Sequence, residues 1–176
     1  MAPVTKRPIL IHPDPRLKRR AEPVGRPDAR VRRLAADMLE TMYDAPGIGL
    51  AAPQVGEGVR LIVMDCVKDE AAAPRPMALV DPEIAWASEE TAVAEEGCLS
   101  IPDQYAEVER PARVAVRWTD LDGRPQEETF EGLWAICVQH EIDHLDGVLF
   151  IDHLTALKRQ MITRKMLKLK RERARG

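Results

Sequence analysis

Nine residues, Gln139–Gly147, reading Q-H-E-I-D-H-L-D-G, constrain this chain more than any others. His140 and His144 stand four positions apart. On a helix of 3.6 residues per turn they lie about 40° apart around the axis and about 6 Å apart along it, so two imidazoles can grip one metal ion. Glu141 is turned about 100° from His140 and stands beside such an ion without ligating it. This is the H-E-x-x-H arrangement of zinc hydrolases, in which the Glu moves protons for a metal-activated water. Leu133, Ile136 and Leu145 flank the motif at near-helical spacing and Gly147 supplies a stop. The spacing therefore predicts a helix from about Gly132 to Asp146. Two imidazoles leave a metal under-coordinated, so a third ligand must come from elsewhere.

The candidates are Cys66, Cys98, Cys137, His12, His153 and various carboxylates. Cys137 shares the helical face but is seven residues before His144. That is about 10.5 Å of axis, too far for a short side chain making a ~2.3 Å bond to converge on the same ion. It suits the pocket wall one turn away. His153 follows an apolar Val-Leu-Phe-Ile run that reads as strand, and it suits the rim. His12, alone in a proline-broken segment, reads as a surface or turn histidine, and Cys66 lies mid-strand among apolar neighbours. Cys98, between Gly97 and Leu99 in a break between strands, is the preferred third ligand on spacing, although spacing does not close the choice.

The 176 residues suit a single domain able to bury a real core. A 45% hydrophobic and 31% charged composition is an ordinary soluble profile, and no apolar run approaches the ~18 residues of a membrane span. The N-terminus lacks the apolar core of a secretory signal, and three cysteines, an odd number, argue against a disulfide framework. Thiols in a reducing cytoplasm are expected instead. The net charge of −3 hides an asymmetry: residues 1–33 carry ten Lys/Arg against three Asp/Glu, and residues 154–176 carry nine against one. The body between them is strongly acidic.

In chain order, residues 8–24 read as an extended arm with a Pro-Asp-Pro turn. Asp28 can cap a helix built on Val31, Leu34, Met38, Leu39 and Met42, ending near Pro46-Gly47. Gly47–Gly56 reads as a small-residue turn before a strand at Val59–Cys66. Met77–Trp86 and Glu89–Glu95 read as strands, Glu96–Pro102 interrupts the pattern, and Pro111–Trp118 resumes it with Val114, Val116 and Trp118 on one face. Asp122-Gly123 marks a hairpin into Arg124–Phe130. A last helix, about Thr155 to Arg171, is amphipathic through Leu157, Met161, Ile162, Met166 and Leu169. Short successive strands with helices before and after predict an α+β domain.

Three segments resemble the motifs of the peptide deformylase family: G-I-G-L-A-A-P-Q at 47–54, E-G-C-L-S at 96–100 and Q-H-E-I-D-H-L at 139–145. P-D-P-R-L at 13–17 and V-L-F-I-D at 148–152 are similar to the family as well, so the resemblance extends over most of the chain. It implies antiparallel sheets packed around a central metal-binding helix, with a C-terminal helix, in one catalytic domain over 1–176 whose stretch from about 155 to 176 is basic helix and tail. It implies removal of the formyl group from N-formylmethionine of nascent polypeptides, releasing formate. Cys98, His140 and His144 would bind one divalent metal, natively Fe²⁺, with Zn²⁺, Ni²⁺ or Co²⁺ also suited to the donors. Glu141 would pass the proton of water to the departing amine. The Gln54 amide and the Leu99 N–H would meet the developing oxyanion. The Gly49 backbone would hold the substrate chain. Ile48, Leu133, Ile136 and Cys137, with the His140 ring as a wall, would take the methionine side chain; read without the family, these four are core.

The chain departs from the family at Tyr105, where several members have an Arg that can hold the peptide backbone, so peptide contact there is open. The resemblance also suggests that the basic C-terminal helix tethers the enzyme to ribosomal RNA phosphates through counterion release. Two other classes share the main features. One is a general metallopeptidase, in which a downstream third His or Glu is expected; the other is a non-catalytic ribosome- or RNA-binding module with a structural metal, which would tolerate Glu141→Gln.

Overall fold

The computed structural model describes residues 3–176; Met1 and Ala2, the start of the N-terminal stretch read above, lie outside them. An extended arm with a single helical turn at Pro15–Lys18 leads to α1, Ala29–Asp44. Asp28 caps this helix as expected, its side chain accepting the Val31 N–H at 3.0 Å. Leu34, Met38 and Met42 are buried from α1, and Val31 and Leu39 pack against the same cluster.

Seven strands follow: β1 Gly49–Ala51, β2 Leu61–Met64, β3 Met77–Ala87, β4 Thr91–Cys98, β5 Ile101–Pro111, β6 Arg113–Thr119 and β7 Pro125–Glu131. Then come α2, Gly132–Leu145, and α3, Ala156–Arg175. Five strands form one sheet in the order β1-β2-β3-β6-β7, while β4 and β5 form a separate hairpin. Every pairing between these strands is antiparallel. The α+β class, with antiparallel sheets and a C-terminal helix, is thus as the sequence predicts.

α2 lies against the five-stranded sheet. Ile62, Met64, Leu79, Val114, Val116 and Phe130 from the strands pack on Ala135, Val138, Ile142 and Leu145 from the helix. Each of these side chains other than Ala135 contributes about 1.5–3 kcal/mol on full burial. The alternation at Val114, Val116 and Trp118 therefore points inward as read. Burial continues almost all round α2, taking in Gln139, His140, Glu141 and His144 with the apolar residues. A helix buried on every face must satisfy its polar groups internally, which explains why paired chemistry collects there. The N-terminal arm crosses the end of α2: at Gly147, with φ +75°, any Cβ would sit 2.5 Å from the Lys18 carbonyl oxygen. That position requires glycine.

Four expectations need correction. Glu96–Pro102 does not separate strands by a loop; β4 runs through Cys98, turns at Leu99-Ser100 and returns as β5. The β5 strand escaped notice because its inward positions, Ile101, Val108 and Arg110, do not alternate as apolar residues. Val148–Ile151 is not a strand but leads into a helical turn at Phe150–His153, where Leu149, Phe150 and Ile151 are buried together. His12 does lie in a turn but is buried rather than on the surface, with its Nε2 2.9 Å from Thr163 Oγ1. In α3, Ile162 and Met166 are buried as expected, but Leu157 and Met161 are exposed, and the helix continues to Arg175.

Candidate metal centre

Two elements converge on one point. β4 ends at Cys98, and α2 presents His140 and His144 from successive turns. One ligand-type atom from each residue lies within 4.8 Å of the others, and Cys98 Sγ is 3.3 Å from His144 Nε2. Two ligands of a tetrahedral ion, with bonds of ~2.3 Å to sulfur and ~2.05 Å to nitrogen, stand about 3.6 Å apart, so the donor spacing fits a metal of that kind. The third-ligand candidates separate accordingly. Cys98 is in the group, while Cys66, Cys137, His12 and His153 are outside it.

The imidazoles are oriented by partners. His140 Nδ1 is 3.0 Å from Glu96 Oε1, which leaves its Nε2 as the nitrogen available to an ion. Glu96 is gripped by Arg110, with Nε–Oε2 at 2.7 Å and Nη2–Oε1 at 3.0 Å. Burial opposes ionisation of Glu96, but the bonds from His140 and Arg110 outweigh it and hold its carboxyl below the usual range. Burial pushes His144 well below its ordinary range, reinforced by the charge of His140, so it stays neutral with a lone pair to offer. For His140 burial acts in the same direction, yet the negative charge of Glu141 and the bonds to Cys98 and Glu96 prevail and raise its proton affinity.

Glu141 lies between the two histidines, buried, and burial pushes its carboxyl up to about 7 against the opposing charge of His140. Its Oε1 has no hydrogen-bond partner among the described residues. Gln54 is buried too, in a helical turn at Ala52–Val55 that follows β1. Its Oε1 accepts the Ala51 N–H at 2.9 Å, and its Nε2 donates to Ser100 Oγ at 3.1 Å and toward Cys98 Sγ at 3.5 Å. The amide is thereby fixed with its donor end toward the sulfur.

A cavity of about 490 Å³ opens over this group. It is lined by Ile48, Gly49, Gln54, Cys98, Leu99, Leu133, Ile136, Cys137, His140 and Glu141, so every site residue expected from the sequence except His144 reaches it. His144 is fully buried behind. A Cβ at Gly49 would lie 2.6 Å from Glu141 Oε2 and 2.7 Å from Cys137 Sγ, so glycine is what allows this backbone to pass over the carboxylate. The Cys137 thiol is raised well above its ordinary range by the neighbouring free thiol of Cys66 and by burial, which suits a neutral wall group. Tyr105 stands 63% exposed at the cavity mouth with its ring over Gly97. His153 does not line the cavity; its Nε2 is 2.9 Å from Asp143 Oδ2. The sequence reading missed Glu96 and Arg110 as supports of the site. Glu96 precedes Gly97-Cys98 and was open to notice, whereas Arg110 belongs to the strand that went unrecognised.

Comparison with known proteins agrees with this geometry. The polypeptide deformylase family model matches residues 6–160. A peptide deformylase of Mesorhizobium japonicum is 56% identical over 170 residues, covering 97% of this chain and 96% of that protein. Among solved structures, a peptide deformylase from Legionella pneumophila superposes with TM-score 0.89 at 47% identity, covering 98% of this chain and 99% of that one. A peptide deformylase from Acinetobacter baumannii solved with Met-Ala-Ser bound superposes with TM-score 0.79 at 34% identity, covering 86% and 100%. A family match over most of the length, close relatives spanning nearly the whole chain and a thiol–imidazole cluster beneath one cavity lead to the same place: the chain belongs to the polypeptide deformylase family of enzymes.

Proposed function

We propose that this chain is a metal-dependent hydrolase that removes the formyl group from N-formylmethionine of newly made polypeptides and releases formate. One observation carries the reading: a thiol and two imidazoles gathered within 4.8 Å, beneath a cavity that also holds Glu141. Cys98, His140 and His144 would hold one divalent ion, Fe²⁺ natively, with Zn²⁺, Ni²⁺ or Co²⁺ able to take the same donors. When bound, such an ion supplies Lewis acidity, bringing the pKa of water toward neutrality and polarising a carbonyl.

The remaining work belongs to the protein. Glu141, with a carboxyl near 7, is matched to accept a proton from water and return it to the leaving amine at neutral pH. The Gln54 amide and the Leu99 N–H meet the oxygen on which charge develops, and the fixed Gln54 Oε1 means its donor needs little reorganisation. Gly49 lets the substrate backbone approach. Ile48, Leu133, Ile136, Cys137 and the His140 ring enclose the methionine side chain, whose burial is worth about 1.5–3 kcal/mol. That the Acinetobacter baumannii relative binds Met-Ala-Ser supports a peptide beginning with methionine as the ligand class here.

Residues 1–176 act as one catalytic unit on this reading, in the cytoplasm, with the basic stretch from about 155 to 176 reaching toward the ribosome surface. No helix among the described residues is long and apolar enough to cross a membrane. The test is formate release from formyl-Met-Ala-Ser by anaerobically purified, metal-analysed protein, run beside unformylated peptides. Formate release without internal cleavage is expected. Cleavage of internal peptide bonds at a comparable rate would favour a general metallopeptidase and overturn the reading.

A further inference from the structure

Arg110, on β5, is 6% exposed, and its side-chain hydrogen-bond partners among the described residues are the carboxylates of Glu96 and Asp143. Two of its nitrogens take both oxygens of Glu96 in a fork, and its Nη1 donates to Asp143 Oδ2 at 2.9 Å. Glu96 in turn holds His140 Nδ1, and Asp143 immediately precedes His144 in α2. The guanidinium thus reaches the His140 imidazole through Glu96 and is tied to α2 through Asp143, whereas His144 Nδ1 has no hydrogen-bond partner among the described residues.

We propose that Arg110 is a positioning residue for the metal centre, fixing the Glu96 carboxylate so that His140 is presented to the ion that Cys98 and His144 share, while its bond to Asp143 ties the fork to α2. The proposal rests on the metal-binding reading given above. The physical basis is planar. Hydrogen bonds to both oxygens fix the plane of the Glu96 carboxylate and with it the direction from which Oε1 receives His140 Nδ1. That contact selects the tautomer and ring angle that leave Nε2 free for an ion. A lysine cannot reproduce this, because one ammonium has neither the second in-plane arm nor the reach to Asp143 in the same geometry. Without the guanidinium, the buried Glu96 carboxylate loses both in-plane donors and keeps only His140 to fix its orientation.

The experiment uses full-length protein loaded with Co²⁺, whose visible bands report ligand geometry, with chelator extraction as the second readout. Arg110→Met should release Co²⁺ about 10–100-fold faster and shift the bands, the loss typical when a ligand's supporting partner is removed. Arg110→Lys should fall between that variant and the parent. In a Glu96→Gln background, Arg110→Met should add less than the product of the two single effects. Thermal unfolding of the metal-free proteins separates this from a general loss of fold. Parental bands with extraction within threefold in folded Arg110→Met would overturn the proposal. Should that variant not fold, the same result in Arg110→Lys overturns it equally. Failure of the parent to bind Co²⁺ refutes the metal reading itself, whereas parental binding with unaffected variants refutes only the role of Arg110.

Discussion

Glu141→Gln should make the metal-free protein more stable while removing its activity. Burial raises the Glu141 carboxyl from 4.5 to about 7, so the folded state prefers the protonated acid. In the unfolded chain the proton leaves near 4.5. Between these values the folded state binds more protons than the unfolded one, and stability falls as pH rises. The penalty is absent below about 4.5, grows through that window and is complete above about 7. At 1.36 kcal/mol per pH unit it amounts to about 3 kcal/mol at pH 8. Glutamine has the shape of the neutral acid and carries no such penalty. Urea unfolding of chelator-treated proteins at pH 5, 6, 7 and 8 should show the variant gaining on the parent with each step. In thermal unfolding the gain at pH 8 corresponds to roughly 6–12 °C for a chain of this size. Turnover on formyl-Met-Ala-Ser should meanwhile fall about 10²–10⁴-fold with metal still bound, the loss usual for a general base. A difference that stays constant across pH, or a variant less stable at pH 8, would refute the argument from burial. Full turnover would refute the assignment of Glu141.

Other outcomes are as specific. Gly49→Ala brings a methyl group within 2.6 Å of Glu141 Oε2 and should lower kcat/KM at least tenfold, with about 1–3 kcal/mol lost in unfolding experiments. Leu133→Ala should raise KM for formyl-Met peptides several-fold with kcat changed less, and equal effects on a formyl-Ala peptide would deny it a part in the methionine pocket. Gln54→Ala should reduce kcat about 10²–10³-fold with metal content unchanged. Deleting Leu167–Gly176 should weaken ribosome co-sedimentation at low salt and leave hydrolysis of short peptides intact; equal pelleting of both forms would remove the tether.

What could be read from the residues was what depends on local spacing. His140 and His144 four apart can only share a helical face, and the capping Asp28 and turn-forming Asp122-Gly123 act through their own backbone neighbourhood. The site residues spread over three segments were named together through the family resemblance, because no local rule brings residue 54 beside residue 98. The failures have one cause. Burial of β5, of His12 and of the Phe150–His153 turn is decided by which distant segment packs on them. His12 is enclosed by Thr163 from α3, and β5 carries Arg110 inward because Glu96 and Asp143 are there to receive it. The α3 helix shows the reverse: its apolar stripe is longer than the surface available to cover it, so Leu157 and Met161 stay in solvent.

The central claim is that one sulfur and two ring nitrogens hold a catalytic cation. X-ray absorption at the metal edge of anaerobically purified protein, with elemental analysis on the same sample, addresses it directly. The account predicts one divalent metal per chain with a first shell of one sulfur and two imidazole nitrogens, the sulfur lost in Cys98→Ala. A metal-free active enzyme, or a shell lacking sulfur, would contradict it.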